Sequence, residues 1–155
     1  MAKLRITVNS KDVSKGLSDI SNDMPKMLMA CVMQATAILY RNSREQMSEK
    51  IYNVPIPLRK SGKPAWKRTS NLLNNERMKF RQLSNGAYGL IYNNAKNKKD
   101  GGEYAYWRHQ LNTKSPIDKI NRHAPWRDLA VATKGDAAID AFRQKLGNEI
   151  DARWK

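Results

Sequence analysis

This chain is short of cysteine and histidine. Its 155 residues include one cysteine, Cys31, and two histidines, His109 and His123. A single cysteine excludes an internal disulfide framework. Cys31 falls within an apolar helical pattern and reads as a small buried side chain. Metal sites need several converging His, Cys or carboxylate ligands, and no CxxC or HxxxH spacing occurs. No metal or other cofactor is expected. Long apolar runs are also missing. No stretch reaches 18 apolar residues, so no transmembrane helix is expected. The first residues, MAKLRITVNSKDV, lack an apolar core, so no secretory signal is expected. The expected location is a cytoplasm, or a particle built there. Gly101 and Gly102 lack the spacing of a nucleotide-binding loop, and there is no nucleophile elbow or kinase signature. No catalytic activity is expected. Internal repeats and low-complexity tracts are absent as well.

Acidic residues are scarce. Against 14 Asp/Glu stand 29 Lys/Arg, for a formal net charge of +15. Residues 51–125 hold 15 of the basic residues and only four acidic ones. The charge therefore sits in the middle of the chain. Such a field attracts an acidic partner, whether nucleic acid, an acidic protein surface or a membrane face. The length implies one domain, 1–155, able to bury roughly 70% of its unfolded surface without a staple.

Residues 4–8 (LRITV) alternate apolar and polar, as in a half-buried strand. Residues 9–23 are polar, include Gly16, and are expected to form a turn or a short helix. From residue 24 to about 50 the pattern is helical. Met24, Met27, Leu28, Cys31, Ala35, Ile38 and Leu39 share one face, and Lys26, Gln34, Arg41, Arg44 and Glu45 the other. Asn22 or Asp23 would cap this helix, with Pro25 in its first turn. Pro55 and Pro57 require it to stop before them. Residues 53–70 read as a long exposed basic loop. Such loops are usually functional or disordered, and contact with a partner subunit or acidic surface is the preferred reading over a solvated, partly disordered loop. In residues 77–83, Met78 and Phe80 share one face and Lys79 and Arg81 the other. Ser84, Asn85 and Gly86 follow as a hairpin turn, since Asn-Gly is a strong hairpin signal. Tyr88, Leu90 and Tyr92 share a face of the returning strand. Residues 93–102 and 112–124 read as further basic loops, on either side of a third strand or short helix at 103–111. Pro125 would open a helix that Gly135 breaks, with Asp136 capping a last helix marked by Ile139, Phe142, Leu146 and Ile150. The class is α+β. A long N-terminal amphipathic helix packs on a small antiparallel sheet, and a C-terminal helix completes the core.

The segment 55–73, PIPLRKSGKPAWKRTSNLL, resembles the P-V-…-G-…-W-x-R-T-G-x-L stretch of a tailed-phage family. Its members are called minor tail, tail-completion, neck or head–tail joining proteins. Two more stretches match in the same order. EYAYWRH at 103–109 resembles the family's Y-A-x-x-x-(H/E)-x-G, and APWRDLA at 124–130 resembles R-P-(F/W)-(L/F)-x-x-A, which leads into a last helix. The resemblance spans roughly residues 24–155. Ser70 and Leu111 stand where the family usually has glycine, so the turns there are expected to differ. The resemblance implies a similar fold and a structural role in a virion, located at the neck or tail. Subunits would form a ring, hexameric by family analogy, and meet other neck, connector or tail-tube proteins. DNA passing through the lumen is a further contact the resemblance implies. No membrane partner is expected.

The candidate interface residues are Arg59, Lys60, Lys63, Trp66, Lys67, Arg68, Tyr104, Trp107, His109 and Trp126. Of these, Tyr104, Trp107 and Trp126 are expected to be packing anchors, since arginine and aromatic residues dominate interface energetics. His109 is the polar end of the Tyr-Ala motif. The alternative function is sequence-nonspecific nucleic-acid binding, with Lys/Arg clusters for phosphates and Trp66, Tyr104, Tyr106 and Trp107 for stacking. A small nuclease or toxin ranks below it. His109 or His123 beside Arg108 or Arg122 would suit such chemistry. Glu103 and Asp118 alone supply a magnesium site poorly.

Overall fold

A computed structural model of the chain describes residues 10–53, 55–56, 58–64, 70–84, 86–96 and 126–154. In order these form helix α1 (Ser10–Met47), a π-helical turn (Ser48–Tyr52), the short helix α2 (Asn71–Asn75), strands β1 (Glu76–Leu83) and β2 (Gly86–Asn93), and helix α3 (Trp126–Trp154). The class is α+β: long helices with a two-stranded antiparallel sheet among the described residues. The expected strand at 4–8, the element at 103–111 and the loop at 112–124 lie outside them.

Helix α1 begins at Ser10, well before the start expected at residue 24. Pro25 sits in its interior rather than in its first turn. Proline there removes one helical hydrogen bond and costs about 3 kcal/mol. Tertiary packing on both sides of Pro25 offsets that cost. The Trp154 ring lies against Gly16, so a Cβ added at Gly16 would stand 3.3 Å from its Cε3. Arg153 Nε donates to Asp23 Oδ2 at 3.1 Å. Beyond the proline, Met27 and Cys31 are buried. The apolar stripe was already present upstream, in Leu17, Ile20 and Met24 at i, i+3, i+7.

Helix α3 likewise runs unbroken through Gly135 and Gly147. A helical glycine costs about 1 kcal/mol relative to alanine. That cost is small beside the packing of α3 antiparallel along α1. Near the start of α3, Asn42 Nδ2 donates to the Ala130 carbonyl at 3.1 Å and to the Thr133 hydroxyl. From Gly16 to Asn42 the helix rises about 39 Å, which sets the length of this helical pair. No helix among the described residues is long and apolar enough to cross a membrane.

Strands β1 and β2 pair from Glu76↔Asn93 to Leu83↔Gly86. Among the described residues, Ser84 is the one in the turn. Gly86 opens the second strand instead of completing the turn. Directly opposed residues share a face, so the register sets two faces. The inner face packs on α1, where Gly89 comes so close that a Cβ there would lie 2.9 Å from Thr36 Cβ. The main hydrophobic cluster sits where α1 ends. Met47, Leu72, Ala95 and Trp126 form it, with Ile51, Tyr52 and Leu73 packed against them.

Candidate functional site

The basic loop begins as a small hairpin. Leu58 and Pro64 form a bridge. Arg59 N–H donates to the Lys63 carbonyl at 2.8 Å, and Gly62 N–H to the Arg59 carbonyl at 2.9 Å. Gly62 supplies the positive φ of 74° that this turn needs. Arg59, Lys60 and Lys63 are all exposed on it, beside an exposed Leu58.

The loop returns to the core through α2, a helix absent from the expectations above. Ser70 precedes it with φ 43°, ψ 16°, the left-handed region, and its side chain makes no capping bond. Serine thus takes the positive φ that a glycine would supply at no cost. Tyr52 supplies the cap instead. Its hydroxyl accepts from Leu72 N–H at 3.1 Å and Leu73 N–H at 3.3 Å. These are the second and third helical N–H groups, which an N-cap side chain normally satisfies. At the other side Arg44 NH1 donates to the Leu73 carbonyl at 2.6 Å. Arg44 therefore anchors α2 instead of lying on a solvent face.

Beneath α2 lies a buried carboxylate. Glu76 is 0% exposed. Its Oε1 accepts from Ser43 Oγ at 2.8 Å and its Oε2 from Asn93 Nδ2 at 2.8 Å. Arg127 grips both oxygens, through Nε at 3.4 Å and NH2 at 3.2 Å. Four elements meet on this one side chain: α1, β1, β2 and α3. Asn93 also donates to the Leu72 carbonyl at 2.7 Å, tying α2 to the same junction.

A second charged cluster joins the far ends of the long helices. Arg153 pairs with Asp23 and Glu149, Lys26 with Asp23, and Lys145 with Glu149. Hydrogen bonds from Arg153, then Lys26, hold the Asp23 carboxyl below its ordinary range. Bonds from Lys145, then Arg153, do the same for Glu149. Burial pushes the Cys31 thiol up, with Glu149 adding to it.

The outer face of the ribbon is a surface that sequence reasoning did not nominate. It carries Arg77, Lys79 and Arg81 on β1 and, directly across, Tyr92, Leu90 and Tyr88 on β2. The basic side chains are exposed, as are Tyr88 (43%) and Leu90 (48%). The signal was available: any two-residue turn after Leu83 puts these two rows on one face.

The ten candidate residues fall into three groups. Arg59, Lys60 and Lys63 stand together on the exposed hairpin. Trp66, Lys67, Arg68, Tyr104, Trp107 and His109 lie outside the described residues. Trp126 is 0% exposed within the chain's own core. It packs inside the chain's own core with Met47, Leu72 and Ala95, where the end of α1 and α2 close over it. Among the described residues no group of three or more His, Cys, Asp or Glu could hold a metal ion. No family model, curated protein or solved structure matches this chain.

Proposed function

We propose that this chain is a structural subunit of a tailed-phage or prophage virion. It forms a ring that joins head to tail or completes the tail, after assembly in the host cytoplasm. The observation that carries this reading is the meeting of two motif landmarks. Leu72 closes the W-x-R-T-G-x-L stretch and Trp126 centres the P-(F/W) stretch. They lie 54 positions apart in sequence, yet both are buried in one cluster. Ala130, the alanine that ends the second stretch, is buried too. Both stretches thus contribute to one core, which a shared fold requires. The positive φ at Ser70, where the family usually has glycine, supports the same reading.

The work of such a subunit is shape and charge complementarity. The α1–α3 pair and the ribbon give a rigid body, and the Glu76 junction fixes the base from which the basic loop leaves. Arg59, Lys60 and Lys63 on the exposed hairpin then face acidic rims of neighbouring subunits or of connector and tube proteins. Light scattering on the purified protein across salt concentration tests this. The expected result is a mass of several 17.8 kDa chains, alone or on adding tail-tube or connector proteins. Arg68→Ala is expected to leave the monomer folded and weaken that assembly. A chain that stays monomeric under all these conditions overturns the reading.

A further inference from the structure

The outer ribbon face has a composition that selects its partner. One row is Arg77, Lys79, Arg81 and the row beside it is Tyr92, Leu90, Tyr88. Among the described residues, neither strand places an acidic residue on this face. Glu76, the sole acid of the two strands, points inward to Arg127. Arg77 is steadied by donating to the carbonyls of Asn74 (2.6 Å) and Glu76 (2.9 Å), both neutral acceptors. Lys79 and Arg81 make no ion pair among the described residues. A second copy docking here would bring three more cations and no counter-charge, so self-association through this face is disfavoured.

We propose that this face is a binding site for single-stranded nucleic acid, with phosphates along the basic row and bases stacked on Tyr88 and Tyr92. Alternate residues on a strand stand about 6.8 Å apart, and the two rows are about 5 Å apart. A backbone can therefore follow one row while its bases reach the other. Tyr88 and Tyr92 are about 13.6 Å apart, the rise of about four stacked nucleotides. Basic tracks beside aromatic platforms are how single strands are held without sequence preference, because every base has a stacking face. Base stacking on tyrosine separates this occupant from a duplex or an acidic protein, which would use the basic row alone. The site stands on the ribbon and does not depend on ring formation.

The test is fluorescence anisotropy with a labelled oligothymidylate of about 12 nucleotides, repeated with a duplex of equal length. Tyr88→Ala is expected to weaken single-strand binding by about tenfold, and Tyr88→Phe to retain it. Removing Lys79 and Arg81 together is expected to reduce the slope of log K against log salt by about 1.4. Removing Lys60 and Lys63, two charges on the separate hairpin, is expected to leave the tyrosine dependence intact. Both strand positions are exposed, so circular dichroism should show unchanged fold in every variant. Several results overturn the site. They are binding that ignores Tyr88, a duplex bound more tightly than the single strand, displacement of the oligonucleotide by polyglutamate at matched charge, or no binding at all. Oligomeric mass measured on the same samples reports the ring separately.

Discussion

Removing Arg127 should unsettle the whole junction at Glu76. The carboxylate is fully buried, while the Arg127 side chain is 33% exposed. Arg127→Ala leaves Glu76 with two neutral donors, Ser43 Oγ and Asn93 Nδ2, and no cation. Breaking a buried pair by removing one partner costs about 3–5 kcal/mol, mostly because a buried charge is left uncompensated. Hydrogen bonds to a charged group are each worth about 1.5–3 kcal/mol, and the two that remain lower the cost here. Exposure of Arg127 lowers it further, so the expected loss is about 2–3 kcal/mol. For a chain of this size that is a fall in Tm of about 4–12 °C. Glu76→Leu should cost a similar amount, since it strands Arg127 and two donors. The double variant Glu76→Leu/Arg127→Leu should lose less than the two single losses combined, because neither charge is then left alone. Urea unfolding followed by circular dichroism gives the three values. Distant, independent sites add to within about 0.5 kcal/mol. Additivity at that level, or a loss below 0.5 kcal/mol for Arg127→Ala, would refute the argument that the pair couples α3 to β1.

Tyr52→Phe removes the oxygen that caps α2 and is expected to cost about 1–2 kcal/mol in the same unfolding assay; an unchanged midpoint would mean that solvent caps α2 equally well. Ser70→Gly relieves a left-handed serine and is expected to raise stability by up to about 1 kcal/mol, whereas a drop would show that the residue does not hold φ 43° in solution. Gly89→Ala drives a methyl into Thr36 on α1 and should cost about 1–3 kcal/mol, seen as a lower Tm; wild-type stability would mean the ribbon does not lie that close to α1. The Asp23 and Glu149 carboxyls are held below their ordinary values. Their contribution to stability is therefore present above the unfolded-state values and lost as pH falls below about 4. Asp23→Asn with Glu149→Gln should flatten the acid limb of a Tm–pH profile, and identical limbs in both proteins would exclude these ion pairs as its source.

Much of the secondary structure was legible in the residues themselves. Period-3.6 stripes marked α1 and α3, and period-2 alternation marked the ribbon, because a half-buried helix or strand must repeat its apolar side chains at those intervals. Cys31 was readable as buried for the same reason. Boundaries were another matter. Gly16, Pro25 and Gly135 are local breakers. The helices pass through all three because α1 and α3 pack along each other, and no local window contains that energy. Helix α2 is only five residues long, and its cap comes from Tyr52, which precedes it by some 20 positions.

The sites divide in the same way. Composition by itself determined the surplus of positive charge, the lack of disulfides and the basic character of residues 55–73, since these follow from counting ionisable and reactive groups. Tertiary structure alone decided which aromatics are available to a partner. Trp126 resembles an interface residue in sequence but is enclosed by Met47, Leu72 and Ala95. Tyr88 is an ordinary strand residue in sequence but stands in solvent beside Arg81. Pairing register and helix docking assign those environments. Both arise from contacts between residues far apart in the chain, which hydrophobic periodicity within one segment does not encode.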